Sequence, residues 1–194
     1  EMEPLKTFQE LWFIVKSFLN RIINSYSNGG NKTMESKQEI INLLNTMNIE
    51  YEIISHEAVF TIDEMLALNL PKAEVVAKNL FVRDDKKRNY FLFVVREEKM
   101  VNLKEMRQRI NSRPLSFASE SDLYQHLSLP KGAVTPFGII NDKTHSVKVY
   151  IDADFKDSLI GIHPNENTAT VWLKTEDLVD LIKQHGNQVE YIDF

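Results

Sequence analysis

Two apolar runs near the middle of the chain, residues 75–82 and 90–95, flank a polar stretch at 84–89, and this arrangement constrains the fold more than any other feature. Both runs are rich in β-branched and aromatic side chains, which suit a pleated, buried surface. A connection of about six residues between them predicts a hairpin. Everything else must pack around it. Upstream, Ile40, Leu43, Leu44 and Met47 form a helical stripe within residues 35–48, and residues 50–54 then alternate like a strand. Thr61 and Glu64 make a capping box for a short helix that Pro71 ends or follows, because proline lacks the amide a helix interior needs.

Downstream, Asn102 caps a helix carrying Leu103, Met106 and Ile110, which Pro114 ends, and Ser119 or Ser121 starts another through Leu127. Further strands fit residues 138–140, 147–151, 159–162 and 168–173. Thr175 caps a last helix through Gln184, Gly186 stands just past its end, and residues 189–192 form a final strand. There is no steady βαβ alternation, no glycine-rich dinucleotide fingerprint and no phosphate loop. The expected class is α+β: a mixed, largely antiparallel central sheet or barrel surrounded by helices.

At the start of the chain, Leu5, Phe8, Leu11, Trp12, Val15, Phe18, Leu19, Ile22, Ile23 and Tyr26 recur at three- and four-residue steps, the period of an amphipathic helix. Asn28, Gly29, Gly30 and Asn31 break it, and Met34 follows like an independent start. Residues 1–33 are therefore read as an appendage, a helix and a linker, with three roles open: packing on the domain, self-association, or, since the chain opens on Glu1, a partly non-native segment. Residues 34–194 are read as one domain, which 194 residues suffice to build.

The absence of cysteine removes disulfides, thiolate metal sites and a cysteine nucleophile together, and leans toward the cytosol. The longest apolar runs are about five residues, against roughly 20 for a bilayer span; no membrane crossing is expected. A net charge of −5 argues against broad phosphate neutralisation, so any nucleic acid must be gripped locally. Cations do cluster, at Arg83, Lys86, Lys87 and Arg88 and at Lys99, Lys104, Arg107, Arg109 and Arg113; as charge runs they read first as a hairpin tip and a solvated helix face. His56, His126, His145, His163 and His185 have no metal-ligand spacing, so no metal is expected, and no G-x-S-x-G elbow organises a serine triad.

Three segments carry candidate chemistry. Lys78 stands inside an apolar strand, where it either snorkels outward or points into a cavity at a cost in solvation. Asn79 points to the opposite face of a regular strand, so the two line one site only where the strand begins or bulges. Next, the loop containing Gly132, Ala133, Val134, Thr135 and Pro136 combines prolines and glycines that stiffen a turn and let a ligand approach the backbone. Its amides could bind a carbonyl or oxyanion; it also reads as a structural turn. Last, Gly161, Ile162 and His163, followed by Pro164 and Asn167, form either a fixed hydrogen-bonding corner or a tight connection.

In this order and wording the segments resemble the YbaK/ProX family of aminoacyl-tRNA editing domains. The carrying residues are Ala77-Lys78-Asn79-Leu80-Phe81, the run from Gly132 to Gly138 with its G-x-x-x-P pattern, and Gly161-Ile162-His163-Pro164-Asn165-Glu166-Asn167 with Thr168-Ala169-Thr170 after it. The resemblance covers about residues 35–194, and within the family it is greatest to the ProXp-ala (PrdX) branch. It implies a deacylase that hydrolyses alanyl-tRNA(Pro) in trans, without cofactor, in the cytoplasm. The implied partners are the tRNA(Pro) acceptor end and prolyl-tRNA synthetase; oligomeric state is left open. It further implies that Lys78 engages the terminal nucleotide or its backbone with Asn79 assisting, and that Gly132 and its loop (Ala133, Val134, Thr135, Pro136) hold the ester carbonyl. Ile162, after Gly161, would limit the amino-acid pocket, His163 would help shape it, and Asn167 would support them. Two other functions share these residues: a YbaK-type deacylase of cysteinyl-tRNA(Pro), and a non-catalytic module binding tRNA or synthetase.

Overall fold

The computed structural model describes residues 37–58, 68 and 70–194. The helix expected over residues 5–26, the break after it and the capping box of Thr61 and Glu64 lie outside the described residues. The described chain opens with α1 (Lys37–Thr46) and β1 (Tyr51–Ser55). A 3-10 turn, Ala73–Val75, takes the first residue of the expected strand, so the hairpin begins later, as β2 (Ala77–Asp84) and β3 (Tyr90–Arg96). The two pair antiparallel without a bulge from Ala77↔Arg96 to Arg83↔Tyr90. Their tip is built on Asp84, whose buried carboxylate accepts from the amides of Lys86 (3.0 Å) and Arg88 (2.9 Å) and from the Asn89 side chain (2.6 Å).

β3 is buried on both faces, which is why its sequence reads as a continuous apolar run and does not alternate. Leu92 and Val94 join the main core, while Phe91, Phe93 and Val95 join a second cluster with Met106 and Tyr150. Next come α2 (Leu103–Arg109), capped by the Asn102 side chain as expected, and β4 (Leu115–Phe117), a short edge strand that the sequence reading lacks. α3 (Glu120–Leu127) starts at a full capping box between Ser119 and Asp122. β5 (Val147–Asp152), β6 (Leu159–Ile162), β7 (Ala169–Lys174), α4 (Thr175–His185) and β8 (Val189–Ile192) complete the chain.

The strands form two sheets, one ordered β1-β7-β6 and one ordered β4-β2-β3-β5-β8. The pairings β3–β5 and β5–β8 are parallel and the rest antiparallel, so the fold is the expected mixed, largely antiparallel α+β arrangement. The main core lies between the sheets, with Ile160, Ile162, Val171 and Leu173 from the smaller and Leu92, Val94, Val149 and Ile151 from the larger. Ile40, Leu43 and Leu44 of α1 and Leu178 and Ile182 of α4 close it. Each such side chain contributes about 1.5–3 kcal/mol on burial. A single parallel bridge, Val76↔Gly161, links the two sheets at the start of β2.

Two local expectations are corrected. Residues 138–140 are not a strand but part of a 3-10 helix, Pro136–Asn141, with every residue buried. Pro136 at its first turn and the bond from Gly138 N to Thr135 O (3.1 Å) set the curl, and a short buried apolar run carries no period to distinguish the two. Thr175 does not cap α4: Lys174 occupies the cap position, and the Thr175 hydroxyl donates instead to Ser158 O at 3.0 Å.

Candidate functional site

The three segments converge around the start of β2. The Val76↔Gly161 bridge sets β6 beside it, and the loop after α3 reaches both. Gly161 is required there: a Cβ would meet Trp172 Nε1 at 2.7 Å and Val76 Cγ2 at 3.0 Å. The loop is tied to the β6–β7 turn by the buried Thr135, whose hydroxyl donates to His163 O at 2.6 Å. Gly132 has φ 85, the left-handed region that glycine enters without penalty. The Ala133 amide closes the turn onto Pro130 O at 3.2 Å, so that donor is already committed.

Between loop and hairpin opens a cleft of about 420 Å³. Asn79, Leu80 and Phe81 of β2 form its floor, Gly132, Lys131 and Val134 one wall, and Phe117, Ala118, Ser119, Glu120 and Leu123 the other. Asn79 Oδ1 is buried and accepts no hydrogen bond, an acceptor left for something that enters. The α3 wall is fixed to the hairpin through Asp122, which takes Arg83 Nε at 3.3 Å and the Tyr90 hydroxyl at 3.2 Å. Burial alone would push the Asp122 carboxyl up; the hydrogen bonds from the Ser119 hydroxyl and amide and from Tyr90 outweigh it and hold the pKa below the usual range.

The structure thus brings together Asn79, Gly132 and Val134 in the cleft, with Ala133, Thr135 and Pro136 buried behind it. It places the others differently. Regular pairing turns Lys78 to the opposite face of β2 from Asn79, and its ammonium donates to the carbonyls of Glu97 (2.6 Å) and Lys99 at the exit of β3. Burial raises the pKa of the Glu97 carboxyl, against the opposing charge of Lys78. Ile162 is wholly buried in the core between the sheets. His163 stands beside His56, ring centroids 6.3 Å apart, and its Nδ1 meets Ala169 O at 3.1 Å. A carbonyl only accepts, so Nδ1 carries the proton. Burial pushes the His163 pKa down, outweighing the bond to Ala169 that raises it, and the neighbouring His56 adds to the lowering. Asn167 is half-buried in the same turn.

The cleft residues that sequence reasoning missed are Phe117, Ala118, Glu120 and Leu123. Only Ser119, read as a helix start, gave a local signal, since β4 reaches the cleft by pairing with β2 and α3 follows directly after it. Among the described residues no group of three or more histidines and carboxylates is placed to hold a metal ion, and no helix is long and apolar enough to cross a membrane.

A family model described as an aminoacyl-tRNA editing domain matches residues 56–181. The chain is 41% identical over 161 residues to the prolyl-tRNA editing protein ProX of Acetoanaerobium sticklandii, covering 82% of this chain and 98% of that one. It is 30% identical over 165 residues to prolyl-tRNA synthetase associated domain-containing protein 1 of Mus musculus, covering 82% and 97%. A crystal structure described as a candidate trans-editing enzyme for prolyl tRNA synthetase superposes with a TM-score of 0.60 at 16% identity, over 81% of this chain and 94% of that one, a likeness of fold.

Proposed function

We propose a substrate for this chain from a plain premise: it belongs to the aminoacyl-tRNA editing domain family and is an aminoacyl-tRNA deacylase, an ester hydrolase. The substrate is tRNA(Pro) mischarged with alanine, hydrolysed in trans. The observation that carries the reading is the nearly end-to-end likeness to a prolyl-tRNA editing protein, joined to a cleft with the chemistry that an ester needs. An aminoacyl ester is already activated; it requires a polarised carbonyl and a positioned water or ribose hydroxyl more than a side-chain nucleophile. Gly132 and Val134 line the cleft and offer main-chain amides to the carbonyl, and the unpartnered Asn79 Oδ1 accepts from the ribose hydroxyl or the α-ammonium.

Phe81, Leu123 and Val134 belong to the apolar part of the lining, and selection of alanine is proposed to rest on steric exclusion against it. Lys78 is proposed to anchor the terminal nucleotide. Its present hydrogen bonds go to two carbonyls, whereas a phosphate carries a full opposing charge and competes for the ammonium. His163 acts through its carbonyl, bracing the loop. Residues 34–194 are the proposed catalytic unit and the cytoplasm its place of action. Prolyl-tRNA synthetase is the proposed partner, after the name that relatives carry.

A deacylation panel of Ala-, Cys-, Ser- and Pro-tRNA(Pro) tests the reading. Selective loss of alanine is expected; selective loss of cysteine reassigns the amino acid, and binding without turnover refutes hydrolysis. Lys78→Ala should lower kcat/KM about 10- to 100-fold. A variant as fast as the wild type removes Lys78 from the site.

A further inference from the structure

Phe117 ends β4 with 60% of its surface exposed, on a backbone that is firmly held. Its backbone is paired with Val82, and the next amide, Ala118 N, donates to Phe81 O at 2.9 Å. The backbone is therefore fixed where Phe117 joins the lining of the cleft, one residue before the wall formed by Ala118 and Ser119. An aromatic in this position covers no core. Its surroundings are cationic, in a chain whose net charge is −5.

On the far side of β4 lies the hairpin tip, where Lys86, Lys87 and Arg88 are all exposed and the buried Asp84 carboxylate fixes the backbone that presents them. Arg113, just before β4, is held by Asp85 in a two-pronged pair at 2.6 and 3.0 Å. Across the cleft, the Lys131 side chain is 80% exposed and meets Glu120 at 3.3 Å. A path thus runs from the cleft over one aromatic face to a cluster of cations, the pattern of a groove for single-stranded nucleic acid, where bases stack and phosphates track positive charge.

We propose that Phe117 is the stacking platform for the base of the substrate's 3′-terminal adenosine, with the hairpin tip directed at the phosphates that follow it. This rests on the aminoacyl-tRNA reading, which puts the ester in the cleft and therefore the attached nucleoside at its lip. Stacking explains why the position is aromatic and exposed, and it is blind to which amino acid is attached. Specificity for the amino acid then stays inside the cleft, and grip on the nucleic acid outside it.

The test compares wild type with Phe117→Ala, Phe117→Leu and Phe117→Tyr in steady-state deacylation of Ala-tRNA(Pro). Loss of one stacked base raises KM about tenfold or more in the Ala and Leu variants, with kcat falling less than about threefold, while Tyr stays within about threefold of wild type on both. A second readout uses an uncharged acceptor-stem minihelix with 2-aminopurine as its 3′-terminal base: wild type and the Tyr variant quench its fluorescence, and the Ala variant does not. Equal KM across the series, a Leu variant as good as Tyr, or quenching retained in Phe117→Ala overturns the proposal. If wild type hydrolyses no aminoacyl ester but quenches in a Phe117-dependent way, the platform stands and the functional reading falls.

Discussion

The hairpin tip and the β6–β7 turn are both short polar connections between buried strands, but they treat their polar groups in opposite ways. At the tip, the buried Asp84 finds three donors, and Lys87 takes the left-handed conformation that lets the chain close around it. In the turn, Asn165 is equally buried and also left-handed, with φ 61, but neither atom of its side-chain amide has a hydrogen-bond partner. Trp172 Nε1, packed against Gly161 beside it, has none either. A buried polar group without a partner costs about 1–3 kcal/mol, so a chain that tolerates several together has placed them where something other than folding decides. The tip is scaffold. The turn, which is tied to the Gly132 loop through Thr135, is where the polar atoms are left open.

The largest expected effect is at the tip. Asp84→Ala strands two amides and the Asn89 side chain, and should lower unfolding stability by about 2–3 kcal/mol in urea titration. Its acid sensitivity has a definite sign. Burial raises the Asp84 pKa, but the bonds from Arg88, Asn89 and Lys86 overcome it and hold the folded-state pKa below its unfolded value. The contribution is therefore complete above about pH 4 and lost as pH falls through the folded pKa. Asp84→Asn should flatten the stability profile in that acid window; an unchanged profile breaks the picture of a charged tip.

Asn165→Gly should cost less, within about 1 kcal/mol, because it removes two unpartnered atoms while keeping the left-handed backbone. A loss as large as that of Asp84→Ala would mean that the amide is held after all, and the contrast between the turns would disappear. The smallest effect concerns His163. With its pKa depressed chiefly by burial, the folded protein resists protonating it, so stability declines as pH falls below the ordinary imidazole value. Nitrogen NMR near pH 6.5 should show a neutral ring with the proton on Nδ1; a cationic ring at that pH overturns the assignment.

What was legible in the sequence was local. The β2–β3 hairpin, the Asn102 cap and the helix start at Ser119, one of the two serines read for it, depend on neighbours within a few residues, and all three are present. Strand parity was enough to say that Lys78 and Asn79 part company in a regular strand, and they do. The other side of the cleft was not legible. Phe117 and Leu123 reach Asn79 only because β4 pairs with β2, a contact that no window of sequence contains. The 3-10 helix at Pro136–Asn141 was misread for the converse reason: full burial erases the alternation from which a strand or helix is read. The loop and the β6–β7 turn stood out by their prolines, glycines and histidine, but as composition each also reads as an ordinary turn, and only the family resemblance gave them roles.

The bond from Thr135 to His163 O joins positions 28 residues apart with a single hydroxyl. An insertion or deletion on either side of that bond would have to be matched on the other, so these two segments can diverge only together.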